Sequence, residues 1–254
     1  MRVLIIGDVH GQHRELADVL RQVQTDYRIE AGIQVGDFGF YEGLMAQPVR
    51  YPVPLHVIDG NHEDHRWLRR ALRHGAADVW KEKANLVYQS RPSVARLGST
   101  TVGFMGGALH VDRPQNHNLL AGMPNYILRR QREQAVELFN REKPELIATH
   151  SCPAGIGVGV RGVPDFEHGI AEHVVKAGFD PGPADDCGET ELGHLWRGLS
   201  YRPRGWVFGH FHRAHEAVVG DTNFVCVGDG LSSLRQTLVL WDTEERKLLT
   251  CRLS

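Results

Sequence analysis

Short apolar runs, each closed by glycine and then a polar residue, set the rhythm of the first third of the chain. Residues Arg2–Ile6 end in Gly7-Asp8-Val9-His10-Gly11. An apolar run this short, bounded by glycine, predicts a buried parallel strand. Leu16, Val19, Leu20 and Val23 recur at i, i+3, i+4 and i+7, so residues 12–24 read as an amphipathic helix. Residues 31–35 give a second strand, ending in Gly36-Asp37. After a loop over 38–52 that carries Phe38, Phe40, Tyr41 and Tyr51, residues 54–58 give a third. That strand ends in Asp59-Gly60-Asn61-His62-Glu63. The helix that follows has Trp67, Leu68, Ala71 and Leu72 on one face and Arg66, Arg69, Arg70 and Arg73 on the other.

Strand, helix, strand, strand, helix predicts an α/β sheet whose sites lie at the carboxyl ends of the strands. Further β runs are expected at 86–88, 93–97 and 100–105, then a polar loop over 106–124. A helix over 128–141 and a strand over 145–149 lead to His150. Residues 151–186, rich in glycine and proline, read as loops. A short helix over 187–199 and a strand over 206–208 lead to Gly209-His210-Phe211-His212. The rest reads as β runs at 214–219, 223–227, 237–241 and 247–252. No linker, repeat or low-complexity segment interrupts the chain, so residues 1–254 are expected to form one domain.

Composition narrows this picture. Apolar residues make up 41% and charged ones 24%, the balance of a soluble globular chain able to bury a substantial core. A net charge of −2 supplies no global field for nucleic acid, though it leaves room for a local basic patch. No stretch approaches the roughly 20 apolar residues of a membrane span. The first strand begins at residue 2 and runs straight into Asp8, leaving no hydrophobic leader. Cys152, Cys187, Cys226 and Cys251 have no paired spacing. Together these features predict a cytoplasmic protein with reduced thiols.

The chemistry lies where the runs end. Asp8 and His10 are two residues apart, a spacing that puts both side chains on one face of an extended chain. His210 and His212 repeat it. Gly36-Asp37, Gly60-Asn61 and Thr149-His150 place other donors at strand ends. Glycine before the donor lets crowded backbones converge. The set holds three oxygen donors (Asp8, Asp37, Asn61) and four imidazoles (His10, His150, His210, His212). That is too many for one divalent ion and suits two, if one carboxylate bridges them.

These blocks, in this order, resemble the calcineurin-like metallophosphoesterase superfamily, with its GDxH, GDxxxxG, GNH followed by E or D, a lone His, and GHxH. The matches are residues 7–11, 36–43 (a longer form of the second block), 60–63, His150 and 209–212. The resemblance implies a four-layer α/β/β/α sandwich of two mixed β-sheets flanked by helices, classed as α/β or α+β, with a dinuclear centre. One ion would take Asp8, His10, Asp37 and His212, the other Asp37, Asn61, His150 and His210. Manganese is the first choice, with iron, zinc, cobalt or nickel allowed by ligand type. A dimetal-bound hydroxide would attack phosphate mono- or diesters, and His62 would serve as general acid. A nuclease and a Ser/Thr protein phosphatase-like enzyme are the alternative readings, and a binding scaffold that has lost its chemistry is a more distant one.

The match departs from the protein phosphatases in one block. Their GDxxDRG needs an aspartate at position 40 and an arginine at 41, where this chain has Phe40 and Tyr41. The phosphate-gripping arginine and the acid that orients the catalytic histidine are therefore missing, with Glu63 or Asp64 as substitutes for the acid. Thr149-His150-Ser151-Cys152-Pro153-Ala154-Gly155 instead resembles the THxPPxG turn of small phosphodiesterases, with Ala154 in place of a proline. Arg113, Asn116, His117 and Arg161 are candidate contacts for substrate phosphate. The arginine stripe reads either as a seat for a phosphate backbone or as a solvated helix face.

Overall fold

In the computed structural model, which describes residues 1–111, 126–183 and 186–252, β1 (Arg2–Ile6) lies inside a six-stranded sheet. β2 (Ala31–Gln34), β3 (Leu55–Val57) and β4 (Leu86–Tyr88) follow it in parallel on one side. The second sheet begins with β5 (Ser93–Leu97), antiparallel to β6 (Thr100–Met105). β7 (Leu146–Thr149) and β8 (Gly205–Phe208) continue from β6 in parallel. β9 (His215–Val219) and β10 (Thr222–Cys226) complete that sheet, in the order β5-β6-β7-β8-β10-β9. β11 (Thr237–Asp242) and β12 (Lys247–Arg252) return to the first sheet, which runs β12-β11-β1-β2-β3-β4. Strands beyond residue 214 thus join both sheets.

The pleat explains why the central strands read as unbroken apolar runs. Successive side chains point to opposite faces, and here both faces are covered. In β1, Val3 and Ile5 enter the core between the sheets, whereas Leu4 and Ile6 meet the outer helices. In β8, Val207 faces inward, and Trp206 and Phe208 face the opposite helical layer. Two fully buried indoles still find partners: Trp206 donates to Thr149 Oγ1 at 2.8 Å and Trp241 to Thr100 Oγ1 at 3.2 Å.

The helices form the outer layers. α1 (His13–Tyr27) buries Leu16, Leu20 and Val23 on the first sheet, and α2 (Glu42–Met45) adds Met45. α3 (His65–Arg73) and α4 (Ala76–Ala84) contribute Leu68, Trp80 and Ala84 to the same cluster. α5 (Arg129–Glu142) buries Ala135 and Phe139 on the second sheet. α6 (Pro164–Gly169) runs on into a π-helical turn, Ile170–Val175. α7 (Thr190–Gly198) joins α5 with Leu192, Leu195 and Trp196, and α8 (Gly230–Leu234) packs on α1's layer. The result is the expected sandwich, two mixed sheets between helices.

The structure adds helices that the apolar pattern does not announce, α2 and α6 in stretches expected to be loops. α2 interrupts 38–52 with one turn, and α8 is five residues long, both too short for a periodic signal. α4 buries only Trp80 and Ala84, a stripe too narrow to read. α6 is hidden among glycines, but Pro164 at its first turn marks its start. Among the described residues, no helix is long and apolar enough to cross a membrane.

Candidate metal centre

Strands from both sheets deliver polar side chains to one rim. Asp8 follows β1, Asp37 follows β2 and Asn61 follows β3, while His150 follows β7 and His210 follows β8. Contacts across the sandwich show that they meet. Asp8 Oδ1 accepts from the His210 backbone N–H at 3.0 Å, and Asp8 Oδ2 lies 2.9 Å from His212 Nε2. His212 Nε2 in turn lies 3.2 Å from His10 Nε2. Deeper in, His150 Nε2 is 2.9 Å from Asn61 Oδ1 and 3.4 Å from Asp37 Oδ1. The His210 ring sits 4.9 Å from the His150 ring.

Two groups of ligand atoms therefore form. Those of Asp8, His10 and His212 lie within 4.8 Å of one another, and so do those of Asp8, Asp37 and His150. The first group opens to solvent through His10 and His212, and the second is buried. The crowding is severe enough to require glycine. A Cβ at Gly60 would collide with the Asp37 carboxylate and one at Gly209 with that of Asp8.

Backbone strain marks the same residues. His10, Asp37, His210 and His212 have φ of 48°, 52°, 69° and 53°, in the left-handed region that side-chain-bearing residues seldom enter. A polar frame holds them there. The Val9 and His10 N–H groups donate to the Asp37 carbonyl at 3.0 and 2.8 Å. Glu63 accepts from the N–H groups of Phe38, Gly39 and Phe40 at 2.9, 3.0 and 2.7 Å, and from Gly60 at 3.3 Å. Burial and the Asp37 charge push Glu63 up to about 7, against those donors. Buried Gln34, at the end of β2, donates to the Gly7 and Gly36 carbonyls.

The donor chemistry fits divalent cations. His150 Nδ1–H donates to the Val35 carbonyl at 2.7 Å, which leaves Nε2 as the atom facing Asn61 Oδ1 and Asp37 Oδ1. With the Asn61 oxygen on this side, a neutral imidazole would place three acceptors against each other, an arrangement that a positive charge relieves. Without an ion a proton serves: burial alone would lower His150, yet the Asp37 carboxylate raises it to about 9. Burial would raise Asp37, but His150 holds it well below the usual carboxylate range. In the outer group the hydrogen bond to Asp8 raises His212, while burial lowers His10. Burial and the His150 charge hold His210 well below its ordinary value. In the inner group a proton thus stands where an ion would sit.

His62 is half-buried beside this cluster, and its N–H donates to Asp37 Oδ1 at 2.8 Å. Its ring meets those of His10 and His110 edge-on, at 5.6 and 4.9 Å. Both acids suggested from sequence to orient that ring are engaged elsewhere. Glu63 is taken up by the four backbone donors, and Asp64 caps α3 by accepting from Trp67 N–H at 2.9 Å. Tyr41, where an arginine was sought, instead donates its hydroxyl to the His62 carbonyl.

The other candidates fare differently. Arg161 is exposed, and among the described residues no hydrogen bond or ion pair links it to the cluster. Arg113, Asn116 and His117 lie outside the described residues. Arg66, Arg69, Arg70 and Arg73 are all exposed along α3. The Cys152 thiol is buried, faces the Cys187 carbonyl at 3.4 Å and is raised far up by burial, so it stays a neutral thiol. Gln34 and His110 escaped the sequence reading. Their signals were a buried amide at the end of an apolar strand and a histidine shortly after the glycine-closed β6.

Comparison with known proteins agrees with this geometry. The model of the calcineurin-like phosphoesterase family matches residues 1–214. The protein TT1561 of Thermus thermophilus is 15% identical, with 99% of this chain and 98% of that one aligned at a TM-score of 0.60. A putative 5'-nucleotidase from Staphylococcus aureus is 14% identical, with 99% of this chain and 52% of that one aligned at 0.57. At such identities these two structures speak for the fold alone. The family match extends through every strand-end donor described above, and the chain belongs to the calcineurin-like phosphoesterase family as a phosphoester hydrolase.

Proposed function

We propose that this chain hydrolyses phosphate mono- or diesters with two divalent cations. One would be held by Asp8, His10, Asp37 and His212, the other by Asp37, Asn61, His150 and His210. The observation that carries this reading is that Asn61 Oδ1 and Asp37 Oδ1 lie 2.9 and 3.4 Å from His150 Nε2, while Asp8 groups both with Asp37 and His150 and with His10 and His212. When bound, such cations acidify water toward neutrality and offset charge on phosphoryl oxygens. The protein's own part is to hold the donors in strained, fixed positions and to supply a proton. His62 is the donor that fits: it is half-buried, tied to Asp37 through its backbone, and adjacent to ligand Asn61. It protonates the leaving oxygen.

A second reading, hydrolysis of a nucleic-acid backbone, is favoured by the four exposed arginines on α3, which starts three residues after His62. One experiment tests both. Manganese-reconstituted protein is assayed on bis-nitrophenyl phosphate, nitrophenyl phosphate, phenyl phosphate, cyclic nucleotides, a phosphopeptide, and single- and double-stranded DNA. The His62→Ala protein should keep both ions and lose more rate on phenyl phosphate than on nitrophenyl phosphate, whose leaving group needs less protonation. Equal losses on the two would remove His62 as the acid. No turnover of any ester by the two-ion protein would end the reading.

A further inference from the structure

His110 lies five residues beyond β6, in a segment pinned from two sides. Gly107 N–H donates to the Asp59 carbonyl at 2.8 Å, and Leu109 N–H donates to the buried Glu189 carboxylate at 2.5 Å. Asp59 is itself locked by a buried, two-pronged ion pair with Arg91. The histidine thus arrives on a fixed support, buried, with Nδ1 2.9 Å from Asn61 Nδ2 and its ring edge-on to His62 at 87°.

A carboxamide has nearly the same shape either way round. Turning it by half a rotation exchanges oxygen for NH2 with no steric cost, so only hydrogen bonds decide which end faces which neighbour. Asn61 lies between two imidazoles. On one side is His150, whose Nδ1–H is committed to the Val35 carbonyl. To ligate a metal, His150 must be neutral, and its Nε2 is then an acceptor. Once the proton has left and until an ion replaces it, that acceptor would draw the Asn61 NH2 towards itself and turn the oxygen away. On the other side His110 Nδ1 is a competing acceptor for the same NH2.

We infer that His110 is a positioning residue that keeps Asn61 in the one orientation where its oxygen faces the cation site shared with His150. This rests on the proposed dinuclear reading and adds a role to a residue outside the donor set. It also accounts for a polar ring being buried against His62, where an apolar side chain would fill the space as well. Outer-shell partners of this kind change metal affinity by about 10- to 100-fold.

The test compares His110→Leu with His110→Asn, two side chains of similar shape, of which only asparagine can place an acceptor near the Nδ1 position. Binding of Mn²⁺ alone is followed by titration calorimetry and electron paramagnetic resonance. The wild-type protein should take two ions. His110→Leu should weaken one of the two by tenfold or more and leave the other unchanged, and His110→Asn should restore the weakened one. If the leucine protein does not fold, His110→Phe, which retains a ring against His62, makes the same comparison. Two ions bound by the leucine or phenylalanine variant with wild-type affinity would overturn the inference. So would equal loss in the leucine and asparagine proteins. Fewer than two ions in the wild-type protein would instead overturn the dinuclear reading.

Discussion

Alanine at Gly60 is the sharpest probe of how tightly the rim is built. A Cβ at that position would lie 2.8 Å from Asp37 Cγ, and closer still to its Oδ1 and backbone nitrogen. Carbon atoms pack at about 3.5–4.0 Å, so Asp37 or residues 59–61 must move by roughly 1 Å. Asp37 has little slack, because its φ of 52° is already strained and its Oδ1 accepts from His62 N–H. Overpacking of this kind costs about 1–3 kcal/mol of stability. A displacement of about 1 Å at a reacting centre costs roughly 100-fold in rate. Gly60→Ala should therefore fold with a lowered urea midpoint, lose metal affinity and fall about 100-fold in kcat/KM on bis-nitrophenyl phosphate. Gly43→Ala is the control. Gly43 closes the longer form of the second sequence block, yet it lies in α2 with no atom within 4 Å of its added Cβ. That variant should keep full activity and gain up to about 1 kcal/mol. Metal content, steady-state kinetics and urea unfolding measure all three effects. Wild-type kcat/KM and two bound ions in Gly60→Ala would refute the claim that the strand ends converge without spare room.

Two further outcomes depend on protons. His150 holds its proton up to about 9 in the metal-free protein, so an ion entering there must displace it. Apparent affinity for one Mn²⁺ should rise about tenfold per pH unit from 6.5 toward 8.5, with proton release visible as buffer-dependent heats of binding. A flat affinity over that range would show that His150 does not carry the proton. Glu189, buried at the start of α7, is pushed up to about 7 by desolvation. Its folded value exceeds the unfolded one, so the metal-free protein should lose stability as pH rises from about 4.5 through 7, by an amount of order 3 kcal/mol. Urea midpoints across this range should fall in the wild-type protein and fall less steeply in Glu189→Gln, where Glu63 still titrates, and identical slopes would count against that assignment.

Much of the architecture was legible because its causes are local. Val3, Leu4, Ile5 and Ile6 are buried on both faces of one strand, and a doubly covered strand must be apolar throughout. The donors Asp8, Asp37, Asn61, His150 and His210 could be picked out because each follows such a run. Helix α1 was clear from one stripe of Leu16, Val19, Leu20 and Val23. Helices α2, α4 and α8 were not, since one or two turns packed by a few side chains leave no period to detect.

What the sequence determined by itself is the kind of atom available at each strand end, for that depends on neighbouring residues alone. The tertiary structure decided which of those atoms meet. His10 and His212 are 202 positions apart and 3.2 Å apart in space, a pairing set by the stacking of two sheets. It also decided that Glu63 serves the backbone of residues 38–40 rather than the His62 ring, that His110 joins Asn61, and that Gly60 needs to be glycine where Gly43 does not. Each of these depends on how closely distant segments approach once the cores close, and distance between segments is a property of the packed molecule that no local pattern carries.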